Sequence, residues 1–171
     1  MRAISRLGAF ATTILVSSIL ASGVVAQSLP WHEPLDAQPD RTTIVVGDHE
    51  LDVELAVTPQ QQTLGLGYRN ELPEGNGMLF VNDSAQPRSF WMKGMRFCLD
   101  IIWVESGEIV GAAESVCPDP EGTQDADRQR FVSPEPVTYV LEVPAGWLER
   151  NGYGPGTPVD IPDEVRQALG E

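Results

Sequence analysis

The chain has 171 residues, 42% of them hydrophobic, and 25 acidic against 11 basic side chains give it a net charge of −14. Such a surface repels nucleic acid and anionic lipid, because binding phosphate requires clustered Lys and Arg, so neither is expected as a partner. Its length suits one ordinary domain with a real core, and its acidity reads most simply as a solubility feature or an acid- or salt-adapted exterior.

Residues 1–26 read as a signal peptide. Arg2 and Arg6 form a basic start, Leu7 to Leu20 an apolar segment, and Val24-Val25-Ala26 a small-residue cleavage site before Gln27. The apolar segment falls short of the roughly 20 residues that a membrane-spanning helix needs. No cysteine stands at its end and no Arg-Arg pair precedes it, which argues against a lipoprotein and the twin-arginine route. The expected product is exported, periplasmic or extracellular, and free of the membrane after cleavage. Residues 27–41, with three prolines and no periodicity, read as an extended, disordered leader to a single globular domain at 42–171.

Two β-rich runs around Gly47-Asp48 then predict a hairpin. Leu51, Val53, Leu55 and Val57 alternate with Asp52, Glu54 and Ala56, the pattern of a half-buried strand. Thr58-Pro59-Gln60-Gln61 predicts a helix start, with Thr58 as N-cap, Pro59 at the first position and Gln61 closing a capping box. Gly65 and Gly67 end that helix early. Strands are expected at 77–81, 89–93, 99–105 and 108–113, with Ser106-Gly107 as the turn between the last two. Residues 114–136 read as a long polar loop, 137–143 as a last strong strand and the segment after Pro162 as a terminal helix. The expected fold is α+β, one compact β-rich domain with a mostly antiparallel, curled or barrel-like sheet and two or three short helices.

FWMKGMRFCLD, residues 90–100, places Lys93, the only lysine, seven residues before Asp100. From Phe97 onward, one strand face carries Phe97, Leu99, Ile101 and Trp103, and the other carries Cys98, Asp100, Ile102 and Val104. Neither face is polar, so Asp100 is expected to be buried, at a cost unless it is paired or hydrogen-bonded. Lys93, Arg96 and Arg69 are candidate partners, and backbone N–H groups are the structural alternative. Cys98 and Cys117 are expected to form a disulfide in an oxidising compartment, worth about 3 kcal/mol in the chain-entropy model. Free thiols or a metal pair are the alternatives, although neither His32 nor His49 stands at zinc-ligand spacing.

Catalytic motifs are weak. There is no convincing Ser-His-Asp set, no S-x-x-K, no Walker loop, no G-x-G-x-x-G and no H-E-x-x-H. Asp100 and Glu142 are the candidates for acid–base work. Met78, Met92 and Met95 near Trp91 raise a copper(I) site, with core packing the simpler reading, so no cofactor is expected. Phe90, Trp91 and Met92 beside Lys93 have the make-up of a small-ligand pocket.

These motifs resemble a bacterial and archaeal family called domain of unknown function 192 over residues 51–146. In order they are Glu54-Leu55-Ala56, Thr58, Gly65-Leu66, Arg69, Gly77-Met78-Leu79-Phe80, Phe90-Trp91-Met92-Lys93, Leu99-Asp100-Ile101, Val140-Leu141-Glu142 and Ala145-Gly146. The chain departs from the family pattern at Gly67, Gly94, Cys98 and Thr157, where methionine, asparagine, proline and aspartate are usual. The resemblance implies a compact, often exported β-rich domain and implies no activity.

Three readings follow. The first is a non-catalytic binding or accessory module for a small anionic or carboxylate-bearing ligand or an envelope component. There Phe90, Trp91 and Met92 would line the pocket, Lys93 and Arg69 would hold the anion, and Asp100 and Glu142 would position those cations. The second is a cell-envelope enzyme using Asp100 or Glu142 as acid or base. The third is a purely structural or interaction domain.

Overall fold

Residues 39–167 are described by a computed structural model, so the expected signal peptide and residues 27–38 of the expected leader lie outside them. The elements are β1 (Arg41–Val46), β2 (His49–Ala56), α1 (Pro59–Leu64), β3 (Asn76–Gln86), β4 (Ser89–Phe90), β5 (Leu99–Glu105) and β6 (Glu108–Val116). They continue with β7 (Phe131–Val132), β8 (Val137–Pro144), α2 (Trp147–Asn151), β9 (Val159–Asp160) and α3 (Asp163–Gln167).

Seven strands form one sheet in the order β6-β5-β8-β3-β2-β1-β9. Within it only β2 and β3 run parallel, joined through α1; the other neighbours are antiparallel. The sheet curls into a half-barrel, and residues 156–159 lace its two edges together at one end. Pro158 bridges Glu108 of β6, and its carbonyl accepts from Gly47 after β1 at 2.8 Å. The Ile109 N–H bonds to the Thr157 carbonyl at 2.9 Å, and the Val159 N–H to that of Gly107 at 2.8 Å.

Local chemistry explains the joints. The Thr58 side chain accepts from the Gln61 N–H while the Gln61 side chain accepts from the Thr58 N–H, the expected capping box. Ser106 and Gly107 both have positive φ, 53° and 80°, as a two-residue hairpin turn requires. Tyr153 packs over Gly47 so closely that a Cβ there would lie 2.5 Å from its ring.

Side-chain alternation splits the interior into two layers. The concave layer holds Leu51, Val53, Leu55, Leu79, Leu141, Ile102 and Val104, closed by Trp147 and Leu148 of α2 and Val165 of α3. The opposite layer holds Met78, Phe80, Val140, Ile101, Trp103, Leu66 and Met92, with Phe90, Met95 and Phe97 packed against it. Six of the seven β5 residues are buried, as its lack of a polar face requires.

Two expectations need correction. The strand expected at 89–93 stops at Phe90, because the chain turns at Gly94, which has φ 75° and a carbonyl that accepts from the Tyr68 N–H. Residues 114–136 are not all loop. β6 continues to Val116, and Phe131–Val132 pairs with β4 in a separate two-stranded sheet. β4 and β7, of two residues each, are too short to show a period.

Candidate functional site

The strand register lays one row of residues across the outer layer: Glu54 on β2, Met78 on β3, Glu142 on β8 and Ile101 on β5. Glu142 is 5% exposed, and its Oε2 has no hydrogen-bond partner among the described residues. Burial pushes its carboxyl up to about 8, against a smaller downward pull from the Arg69 charge. Arg69 itself is committed elsewhere. Its two Nη atoms donate to the two oxygens of Glu54, each at 2.7 Å, and Arg41 adds a third contact at 3.0 Å. The Arg69 hydrogen bonds hold the Glu54 carboxyl below the usual carboxylate range.

The stop of α1 aims Arg69. After Gly65 the chain turns through Tyr68, at φ 66°. The Tyr68 ring lies against Gly94, where a Cβ would stand 3.0 Å from Cζ. Any side chain larger than that of glycine would therefore meet that ring.

Asp100 is fully buried and does not meet Lys93. Its oxygens accept three backbone N–H groups: Ser115 at 2.7 Å, Gly146 at 2.9 Å and Leu148 at 3.0 Å. The last two lie at the start of α2, so one carboxylate ties the end of β6 to that helix. Lys93 is exposed. It pairs with Asp125 and lies 5.1 Å from the centre of the Trp91 ring.

Phe90 and Trp91 line a cleft of about 280 Å³ together with Phe80, Pro87, Gln62, Asn82, Arg88 and Ser89. Phe80 and Phe90 meet edge to face, 4.9 Å apart. The Arg130 guanidinium covers Trp91 at 3.7 Å. Arg88, half-buried, donates from Nε to the Val137 carbonyl at 3.5 Å and from Nη2 to that of Ser84 at 2.8 Å. Neither bond is to a carboxylate. Met92 is buried in the outer layer rather than lining the cleft, and Met78 and Met95 pack in that same layer.

The wall over Trp91 is the segment that follows Cys117. The Cys98–Cys117 disulfide is formed. Arg128 pairs with Asp119 at 2.9 Å, with side chains only 17% and 13% exposed, and with Asp125 at 3.2 Å. The segment thus brings Asp125 to Lys93 and Arg130 to Trp91. Sequence reasoning missed Arg88, Arg128 and Arg130. The one available signal, for the last two, was the run of two acids followed by two arginines in DADRQR, residues 125–130.

Among the expected site residues, the fold brings Phe90, Trp91 and Lys93 together and seats Arg69 near Glu142. It keeps Asp100 on the concave side, away from both groups.

The profile of the DUF192 family, described as uncharacterized ACR, matches residues 42–161. No curated protein matches the chain. Similar solved structures include two. One, from Sinorhizobium meliloti 1021, is described as a candidate transcription regulator; it is 33% identical, with a TM-score of 0.66, over 73% of this chain and 96% of that one. The other, a protein of unknown function from Novosphingobium aromaticivorans DSM 12444, is 26% identical, with a TM-score of 0.65, over 78% of this chain and 98% of that one. Among the described residues no helix is long and apolar enough to cross a membrane.

Proposed function

This chain belongs to the DUF192 family, and we propose that its domain is an exported, non-catalytic binding or accessory module whose ligand carries a carboxylate or other anionic group. The observation that carries this reading is Arg88: a half-buried guanidinium in an aromatic cleft, without a carboxylate partner among the described residues, in a chain of net charge −14. Lys93 and Arg69 suit the anion-holding role less well, because Asp125 and Glu54 already neutralise them. Phe80, Phe90 and Trp91 would supply flat apolar contact, and Arg88 a fork for the anion. Export is supported by the disulfide and by the N-terminal segment.

A thermal-shift panel of aromatic and aliphatic carboxylates tests the reading. Binding raises the unfolding midpoint in a concentration-dependent way, and Arg88→Met abolishes the response while the unliganded midpoint stays close to wild type. If no carboxylate raises the midpoint, or if Arg88→Met responds as wild type does, the reading is wrong.

One observation favours the enzyme reading: Glu142 is a buried carboxylic acid that stays protonated at neutral pH. A cell-envelope saccharide hydrolysed with a bell-shaped pH profile and lost in Glu142→Gln would establish it.

A further inference from the structure

We infer that the group recognised in the cleft is an α-amino acid residue with a free carboxylate, an inference that rests on the binding reading above. The Gln62 Nε2 donates to the carbonyls of Ala56 at 3.2 Å and Val81 at 2.8 Å. The Asn82 Nδ2 donates to the carbonyl of Thr138 at 2.8 Å. A backbone carbonyl only accepts, so these contacts fix which amide atom is nitrogen. Both side chains line the cleft, and neither amide oxygen has a donor among the described residues. Two amide oxygens on residues that line the cleft thus stand without a donor, beside a guanidinium whose Nη1 makes no hydrogen bond among the described residues.

That pairing selects a ligand. The acceptors call for N–H donors and Arg88 calls for an anion, with both groups on one small molecule that also offers an apolar side. An amino acid residue carries its nitrogen one carbon away from its carboxylate and can turn its side chain onto Phe80, Phe90 and Trp91. The volume agrees. At about 280 Å³ the cleft is just below the roughly 300–1,000 Å³ of drug-sized sites, which suits one residue and not an extended peptide. A neutral sugar satisfies the amide oxygens and stacks on aromatics, yet leaves Arg88 without an anion. The chain's negative charge opposes capture at long range and leaves short-range contact with one anion intact.

Calorimetric titration of the folded domain with five probes tests this: phenylalanine, N-acetylphenylalanine, phenylalanine amide, 3-phenylpropionate and glucuronate. Phenylalanine or N-acetylphenylalanine binds, with 3-phenylpropionate, which lacks the nitrogen, about tenfold weaker, the worth of one or two hydrogen bonds. Free phenylalanine binding the tighter of the two identifies a free amino acid as the source, and the reverse order a peptide C-terminus. Phenylalanine amide does not bind. Asn82→Leu and Gln62→Met narrow the gap between phenylalanine and 3-phenylpropionate, whereas Arg88→Met removes binding of every carboxylate.

If 3-phenylpropionate equals phenylalanine, or glucuronate surpasses it, the inference is overturned while carboxylate binding stands. If phenylalanine amide binds as well as phenylalanine, or no carboxylate binds, both fall.

Discussion

Asp100 and Glu142 stand on adjacent strands one register step apart and face opposite sides of the sheet. Ile101 lies across from Glu142, and Asp100 lies across from Val143. Two buried carboxylates thus occupy unlike environments: Asp100 meets three backbone N–H groups, while Glu142 Oε2 meets none among the described residues.

Asp100→Asn should destabilise the domain. An amide offers one oxygen and an NH₂ in place of two oxygens, so at least one of the three backbone donors loses its acceptor. A buried unsatisfied group costs about 1–3 kcal/mol, several degrees of unfolding midpoint for a domain of this size. Thermal unfolding followed by circular dichroism checks it, and an unchanged midpoint would remove Asp100 from the joint between β6 and α2.

Lys93→Met should leave the midpoint close to wild type. The Lys93–Asp125 pair is solvent-exposed and screened, so its loss is small beside that of Asp100→Asn. A fall equal to that of Asp100→Asn would mean that Lys93 supports the core after all.

Glu142 should make the domain less stable as pH rises. Its folded value of about 8 exceeds its ordinary 4.5, so across that window the folded chain keeps a proton that the unfolded chain releases. The stabilisation is complete below 4.5 and is lost as pH rises to about 8. Relative to Glu142→Gln, which stays neutral, wild type should lose roughly 3–6 kcal/mol across the window. Denaturant unfolding of both proteins at pH 4 to 9 measures the difference. A difference independent of pH would show that Glu142 titrates normally.

Opening the disulfide should loosen the wall over Trp91. Replacing Cys98 and Cys117 by serine should cost about 2–4 kcal/mol and raise hydrogen exchange across 117–132 more than across β8. Uniform exchange through the domain would contradict a local tether.

Much of the fold was legible because its signals are local. Thr58-Pro59-Gln61 caps a helix, Ser106-Gly107 makes a turn, and the alternation through Leu51, Val53 and Leu55 marks a strand, all from neighbours in sequence. Burial of Asp100 was legible too, since neither face of β5 is polar. Its partners were not, because backbone N–H groups belong to every residue and leave no mark in composition. The seven-position spacing of Lys93 and Asp100 suggested a pair that the turn at Gly94 prevents. The importance of Arg88 depends on where carboxylates fall in three dimensions, and its own neighbours in sequence, Pro87 and Ser89, say nothing of that.

The lacing at residues 156–159 governs the order in which the domain can be completed. Those residues are synthesised after every strand they join, so β1 and β6 keep bare hydrogen-bonding edges until the lace arrives. A bare edge is a template for pairing with another chain. Until then the nascent protein is exposed to edge-to-edge aggregation, and a chain cut before Gly156 would keep that exposure permanently.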